Sequence, residues 1–522
     1  MQEPIEHWLN VMSDVDRNDN PDQVERVQRA RQLFATLSAD ECVEVLSEIQ
    51  RRHSVGEWNA STVNQSLYDL VLGSSTKVER NVANSSAASA VLAAKIVELY
   101  LLWPDTGIQR HLLLTYLASR VDEPCWRAFT DLVVEAPPSE VHHVIEAFVP
   151  FWKCKHGHYE ALFPQLLDAL QYPQVAAVVL DFSNFLARER KLAEHPGWVR
   201  RAQLTALLGQ LVARLEKFED DSARSGVADL DTAKAVTETI ALAVALCHTM
   251  ALMNHPDANG KLHRMMALRH RRLRVEAAYA LAKLQDAAGI ETLKELASES
   301  VVRLRANAYA AELGVLDEIA AEYRSPQAVA EAQMVVHLAE PSQFGVPPTS
   351  CELVDDRELI WPGFDEPVRC FLFQFRYAFA HGELVNTGIV GPVTLCISSD
   401  LTDLSVPDVY AVFAGLGIEH DDVRMWDVNH EDPHQQIEIT KCSRFLEQKG
   451  CTQIRPAFFA SFFGDSCFVA SVECQGERGT MVVDHRDAHW IAAGNLQRPI
   501  DAKTAYGMYV GRAVLEHFNG SL

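Results

Sequence analysis

The sequence predicts an α-helical HEAT-like solenoid followed by a separate α+β domain with a mainly antiparallel sheet. Three observations predict it: a Leu- and Ala-rich region punctuated by proline over residues 1–340, an internal repeat near the end of that region, and strand-like patterning beyond it.

The helical reading starts from spacing. Val91, Leu92, Ile96 and Leu99 recur at helical intervals, as do Leu112, Leu113 and Leu117. Pro104, Pro124, Pro137, Pro138, Pro164, Pro173, Pro196, Pro256 and Pro326 divide the region into helix-length segments, because proline cannot donate to the helical ladder. Residues 14–22 and 74–86 are polar and read as loops, and residues 219–225 read as a charged break between two helices.

The repeat is the most specific signal, clearest over residues 260–340. Arg274, Ala277, Ala282 and Leu284 return as Arg303, Ala306, Ala311 and Leu313, always 29 residues on, and Gly260 and Gly289 keep that spacing. Each unit reads as a helix, a tight turn and an Ala-rich helix, with a degraded third copy at residues 328–338. A lone unit leaves its apolar face in water, so such units must stack. This central region resembles the short HEAT-like repeats (PBS-lyase HEAT-like family) also found in bilin lyases. The resemblance implies a helical solenoid that works as a scaffold or adaptor, and it implies no reaction.

Beyond residue 340 the pattern changes. Residues 341–367, opening with Pro341, Pro347 and Pro348, read as a linker and entry segment to a C-terminal domain over 368–522. Aromatic or β-branched runs at 368–379, 391–398, 456–463, 466–474 and 480–483 read as strands, with a hairpin turn at Gly476. Helices are expected at 407–416 and 436–449, and a last one to Phe518 is capped by Asp501.

Composition bounds the partners. The chain has 522 residues and a net charge of -24 from 47 basic and 71 acidic residues, which disfavours unspecific binding to nucleic acid or anionic lipid. The first ten residues carry Glu3 and Glu6 and no apolar run, and no membrane span is read. Eleven cysteines without a CxxC pair fit reduced thiols, so a cytoplasmic address is expected. No cofactor is expected.

Candidate site residues fall in four places. Lys261, Arg264, Arg269, Arg271, Arg272 and Arg274 form a basic run without an acid, and Arg303 and Arg305 of the next repeat are expected to extend it into a stripe. Such a stripe suits an acidic segment of a protein partner. The alternative is pairing within the chain, for which Glu276 and Glu299 are available. Asp484, His485, Asp487 and His489 collect metal-ligand residue types, although the strand-like flanks favour a polar turn. Asp427, His430, Glu431, Asp432 and His434 form a second such cluster, read as loop because Pro433 interrupts any helix, and Cys154, His156 and His158 a third. No GxSxG, P-loop or HExxH pattern is present. The sequence therefore points to a protein-interaction scaffold. The alternative is an enzyme or a metal- or ligand-binding protein with its site in the C-terminal domain.

Overall fold

The computed structural model describes residues 32–75, 86–104, 107–155, 157–225, 230–380, 382–416, 423–492 and 500–520, with residues 6 and 418. The loops read at 14–22 and across 76–85 lie outside these residues, as does most of the N-terminal segment. The chain divides into two compact units, Met1–Thr292 and Leu293–Leu522.

The first unit is helical. Ser38 and Glu41 form a reciprocal capping box that starts α1 (Ala39–Ser54). There follow α2 (Ala60–Ser75), α3 (Ser86–Leu102), α4 (Ile108–Ser119), α5 (Glu123–Glu135) and α6 (Val141–Lys153). The 3₁₀ segment Gln165–Gln171 then leads into α7 (Pro173–Arg188), α8 (Arg201–Ser225), α9 (Leu230–Leu252), α10 (Asn259–Met266) and α11 (Arg271–Lys283). Packing alternates along the chain: α1 lies on α3 and α3 on α5, while α2 lies on α4, α4 on α6, α7 on α9 and α9 on α11. Alternation of this kind builds two helical layers, the arrangement of an α-solenoid. The core runs on through α7, whose Val175, Val179 and Phe182 join the aromatic cluster around Trp126, Phe129, Phe148 and Phe151, while its Ala176 and Leu180 join the next cluster.

The charged break read at 219–225 is instead the last part of α8. Nothing there stops a helix: the Glu219 carboxylate accepts the backbone N–H groups of Arg269 and His270, and Glu216, just before it in α8, pairs with Arg264. Within α9, the stretch Lys234–Leu252 is long and apolar enough to cross a membrane by length and composition, and half of it is buried. Ala243, Leu246, Cys247 and Met250 of that stretch face the core.

The two Ala-rich helices keep the offset read from the sequence. The bounds of α11 and α13 (Ser300–Glu312) differ by 29 residues at both ends. Gly289, in α12 (Ala287–Leu296), has a steric reason to be glycine, because a Cβ there would lie 2.4 Å from the carbonyl oxygen of Ala278. Gly260 faces open space, so its match is not a packing requirement.

The second unit starts inside α12 and continues through α13 and α14 (Pro326–Leu338). Strands β1 (Ser350–Ile360), β2 (Pro367–Phe379), β3 (Gly382–Val390) and β4 (Thr394–Cys396) form one antiparallel sheet in sequence order. After α15 (Val406–Leu416) a second antiparallel sheet runs β5 (Val423–Asp427), β6 (Cys451–Phe462), β7 (Asp465–Cys474), β8 (Glu477–Val483), β9 (Ala488–Ala492). Helix α16 (Pro433–Gln448) lies between β5 and β6 in the chain, and α17 (Ala502–Asn519) ends it with Asp501 as its cap. Gln475 and Gly476 both have positive φ, the requirement of a two-residue hairpin turn.

Two sequence boundaries change. Residues 341–367 contain β1, whose acids hid its alternation: Asp356 pairs with Arg369 across the hairpin, and Asp355 with Arg357. The strand read at 391–398 shrinks to β4, and the long strand is β3, where buried Asn386 and Thr387 interrupt the apolar pattern. Helix α14, read as the end of the repeats, also belongs to the first sheet: its Ala330, Met334 and Leu338 cover Phe371, Phe373 and Phe375.

Candidate functional site

A groove of about 450 Å³ lies in the first unit between the 3₁₀ segment Gln165–Gln171 and the start of α8. Leu167, Leu170, Leu204 and Leu207 form its apolar floor, with Gln171 and Gln203 among its polar lining. Arg200 Nη1 meets Asp168 Oδ1 across it at 2.6 Å.

A buried polar network positions one rim. His195 Nδ1 accepts the N–H of Gly197 at 3.0 Å, so a neutral ring donates from Nε2 to Asn184 Oδ1, 3.0 Å away. Thr249 donates to the same oxygen, and Asn184 Nδ2 donates to the Ala245 carbonyl. Burial pushes His195 down to about 4, so this tautomer is neutral at physiological pH. The network pins the 3₁₀ turn Pro196–Arg200 to α7 and α9. Trp198 and Val199, on that turn, remain 38% and 69% exposed, with the Arg201 guanidinium 4.9 Å from the Trp198 ring. The sequence reads Trp198, Val199, Arg200 and Arg201 as the opening of a repeat-like helix and not as a site; the first three lie on the 3₁₀ turn and the helix begins at Arg201.

No protein-family model, curated protein or solved structure matches this chain.

The basic run meets acids of the same chain. Arg272 Nε lies 2.6 Å from Glu276, which is fully buried and also 2.8 Å from His248 Nε2. Arg264 is held by Glu216, and Arg271 and Arg274 are engaged as well. Arg269 lies in the turn between α10 and α11 with an exposed side chain. Arg303 and Arg305 fall in the second unit. Arg303 is a correction to the stripe: it is 5% exposed, donates to the carbonyls of Ala297, Ser298 and Ala328, and pairs with Glu331 rather than with Glu299. Four of its five N–H donors are used within the chain and the side chain is nearly sealed from solvent, so it cannot present a charge to a partner. Arg305 reaches Tyr309 Oη at 3.4 Å.

In the second unit the β8–β9 turn divides the four candidates between two tasks. Asp484 Oδ1 accepts the N–H groups of Arg486 and Asp487, while Oδ2 accepts the Tyr509 hydroxyl at 2.8 Å and faces His489 Nε2 at 2.9 Å. Burial alone would raise the pKa of Asp484, but these hydrogen bonds outweigh it and hold the carboxylate well below its usual range. Nearby Cys467 is pushed up to about 11 by burial and by the charges of Asp484 and Asp465. His485 turns to Asp465 and Asp487 to Lys449, so the four do not converge. Among the described residues, no group of three His, Cys, Asp or Glu side chains is arranged to hold a metal ion. Among them, no serine, threonine or cysteine bonds to His489.

The other clusters are structural. Asp432 caps α16 and Pro433 begins that helix rather than breaking it, as proline does at a first helical position. His430 meets Gln436, and Glu431 donates its N–H to Asn429. Cys154 is buried at the end of α6, where Tyr159 and Lys191 bond its carbonyl; His156 lies outside the described residues.

Proposed function

We propose that the chain is a protein-interaction scaffold, with a HEAT-like array that takes an apolar segment of a partner protein into the groove beside Trp198. The observation that carries this reading is an exposed Trp–Val pair on a turn pinned by a buried polar network, whose last residue, Arg200, lines the groove together with four leucines. Exposed tryptophan flanked by arginine is the composition that interface hot spots favour. The 29-residue repeat supports the HEAT-like description, and eleven free cysteines support a cytoplasmic address. An acidic stretch of the partner suits the exposed Arg269 at the α10–α11 turn. Proteins recovered with the parent chain and with a Trp198→Ala/Val199→Ser variant provide the test. The variant is expected to fold and to lose partners that the parent retains; identical recovery contradicts the reading.

One observation favours the alternative, an enzyme or ligand binder with its site in the second unit: the Asp484–His489 pair, with one imidazole edge turned from the carboxylate. That reading requires His489→Ala to abolish an activity or binding event that Trp198→Ala leaves intact.

A further inference from the structure

The second unit contains the same order of elements twice. Helix α14 is followed by the meander β1-β2-β3-β4 and then by α15; α16 is followed by the meander β6-β7-β8-β9 and then by α17. The packing repeats with the order. The preceding helix covers one face of its meander: α14 lies on Phe371, Phe373 and Phe375 of β2, and α16 lies on Phe468, Ala470 and Val472 of β7. The following helix takes the opposite face, where Leu372 of β2 and Cys467 and Val469 of β7 point. The central hairpins match too, since Phe379 closes on Gly382 and Cys474 on Glu477 across two-residue turns.

Helices α15 and α17 repeat in detail. Ser405 and Asp501 each accept the N–H three residues on, from Asp408 and Thr504. Counted from these caps, Tyr410 matches Tyr506, Ala411 matches Gly507, Phe413 matches Tyr509 and Gly415 matches Gly511. Both tyrosine hydroxyls bond to the first hairpin of their own sheet, Tyr410 to the Cys370 carbonyl and Tyr506 to the Ser461 carbonyl.

The two helices meet reciprocally. A Cβ on Gly415 would lie 1.8 Å from the Gly507 oxygen, and a Cβ on Gly511 would lie 1.9 Å from the Ala411 oxygen. Position 415 of the first copy therefore touches the counterpart of 411 in the second, and the reverse holds as well. A contact in which i meets j and j meets i is the mark of a two-fold interface.

We propose that residues 326–416 and 433–519 are two copies of one αββββα module, fused in a single chain and facing each other across a local two-fold axis between α15 and α17. The copies differ in chemistry. Where the first has Leu372, Ile389 and Phe413, all fully buried, the second has Cys467, Asp484 and Tyr509 at the matching positions. The module accommodates either set, so the polar cluster around Asp484 belongs to the second copy and not to the fold.

One ion pair breaks the symmetry and offers the test. Arg512 Nη2 lies 2.6 Å from Asp408 Oδ1, and the two-fold counterparts of these residues are Leu416 and Thr504. The full chain is made with Leu416→Arg, with Thr504→Asp and with both, and each is melted. If the axis is real, the new charges meet as Arg512 and Asp408 do, and the double variant melts about 2 °C or more above the sum of the single effects. Should Thr504→Asp alone fail to fold, recovery of folding by adding Leu416→Arg counts the same way. Additive effects, or a double variant that does not recover, overturn the proposal.

Discussion

Arg303 donates to three backbone carbonyls and to Glu331 from a nearly sealed position, so removing it strands acceptors that no water reaches easily. Arg303→Ala is expected to cost about 3 kcal/mol or more, the usual penalty for breaking a buried pair. Arg269→Ser, at an exposed turn, is expected to change stability by only about 0–1 kcal/mol. Denaturant titration of the two variants checks the contrast, and equal losses would contradict it. Tyr509 tests a second buried contact. Asp484 is held below its ordinary pKa in the folded chain, so its contribution is present above the unfolded carboxylate value and is lost as pH falls through the folded one. Tyr509→Phe removes one bond to that carboxylate and is expected to cost about 1.5–3 kcal/mol at pH 7. The gap between parent and variant should hold through the ordinary carboxylate range and narrow only at more acid pH, where the folded carboxylate itself takes a proton. Equal stability of parent and variant at pH 7 would exclude the assigned role.

The elements show which signals were local enough to read. The repeat helices, α15, α16, α17 and the β7–β8 hairpin were legible because periodicity, caps and turn residues act within a few positions. Strand β1 was not, because its exposed face is acidic and its partner cations lie on β2 and along β1 itself. Strand β3 was obscured by Asn386, whose side chain bonds the Ile397 and Ser399 carbonyls and so fixes a loop instead of a strand pattern. The groove rim was hidden because His195, Asn184 and Thr249 are far apart in sequence. Ala277 and Ala306, both fully buried at matching repeat positions, give a direct check on the register that was read. Ala277→Glu or Ala306→Glu is expected to lower stability by several kcal/mol, about what a buried unpaired charge costs; unchanged melting removes that register. Helix α14 sets the truncation limit. A chain starting at residue 341 leaves Phe371, Phe373 and Phe375 uncovered and should aggregate, whereas a chain starting at Leu293 keeps their cover. Soluble, cooperative unfolding of the shorter piece would show that α14 is dispensable.

At the scale of the molecule, the chain joins a two-layer helical array to a unit in which one module occurs twice. The two units suit different tasks: the array offers a groove lined by four leucines and a charged pair, and the second module holds the Asp484–His489 pair at a sheet turn. The claim that the array makes the functional contact is tested most directly by a photo-crosslinking residue placed at position 198 in one full-length chain and at position 485 in another. Covalent capture of a discrete protein partner from position 198 and not from position 485 is the predicted result. Capture from position 485 alone would contradict it and move the function to the second unit.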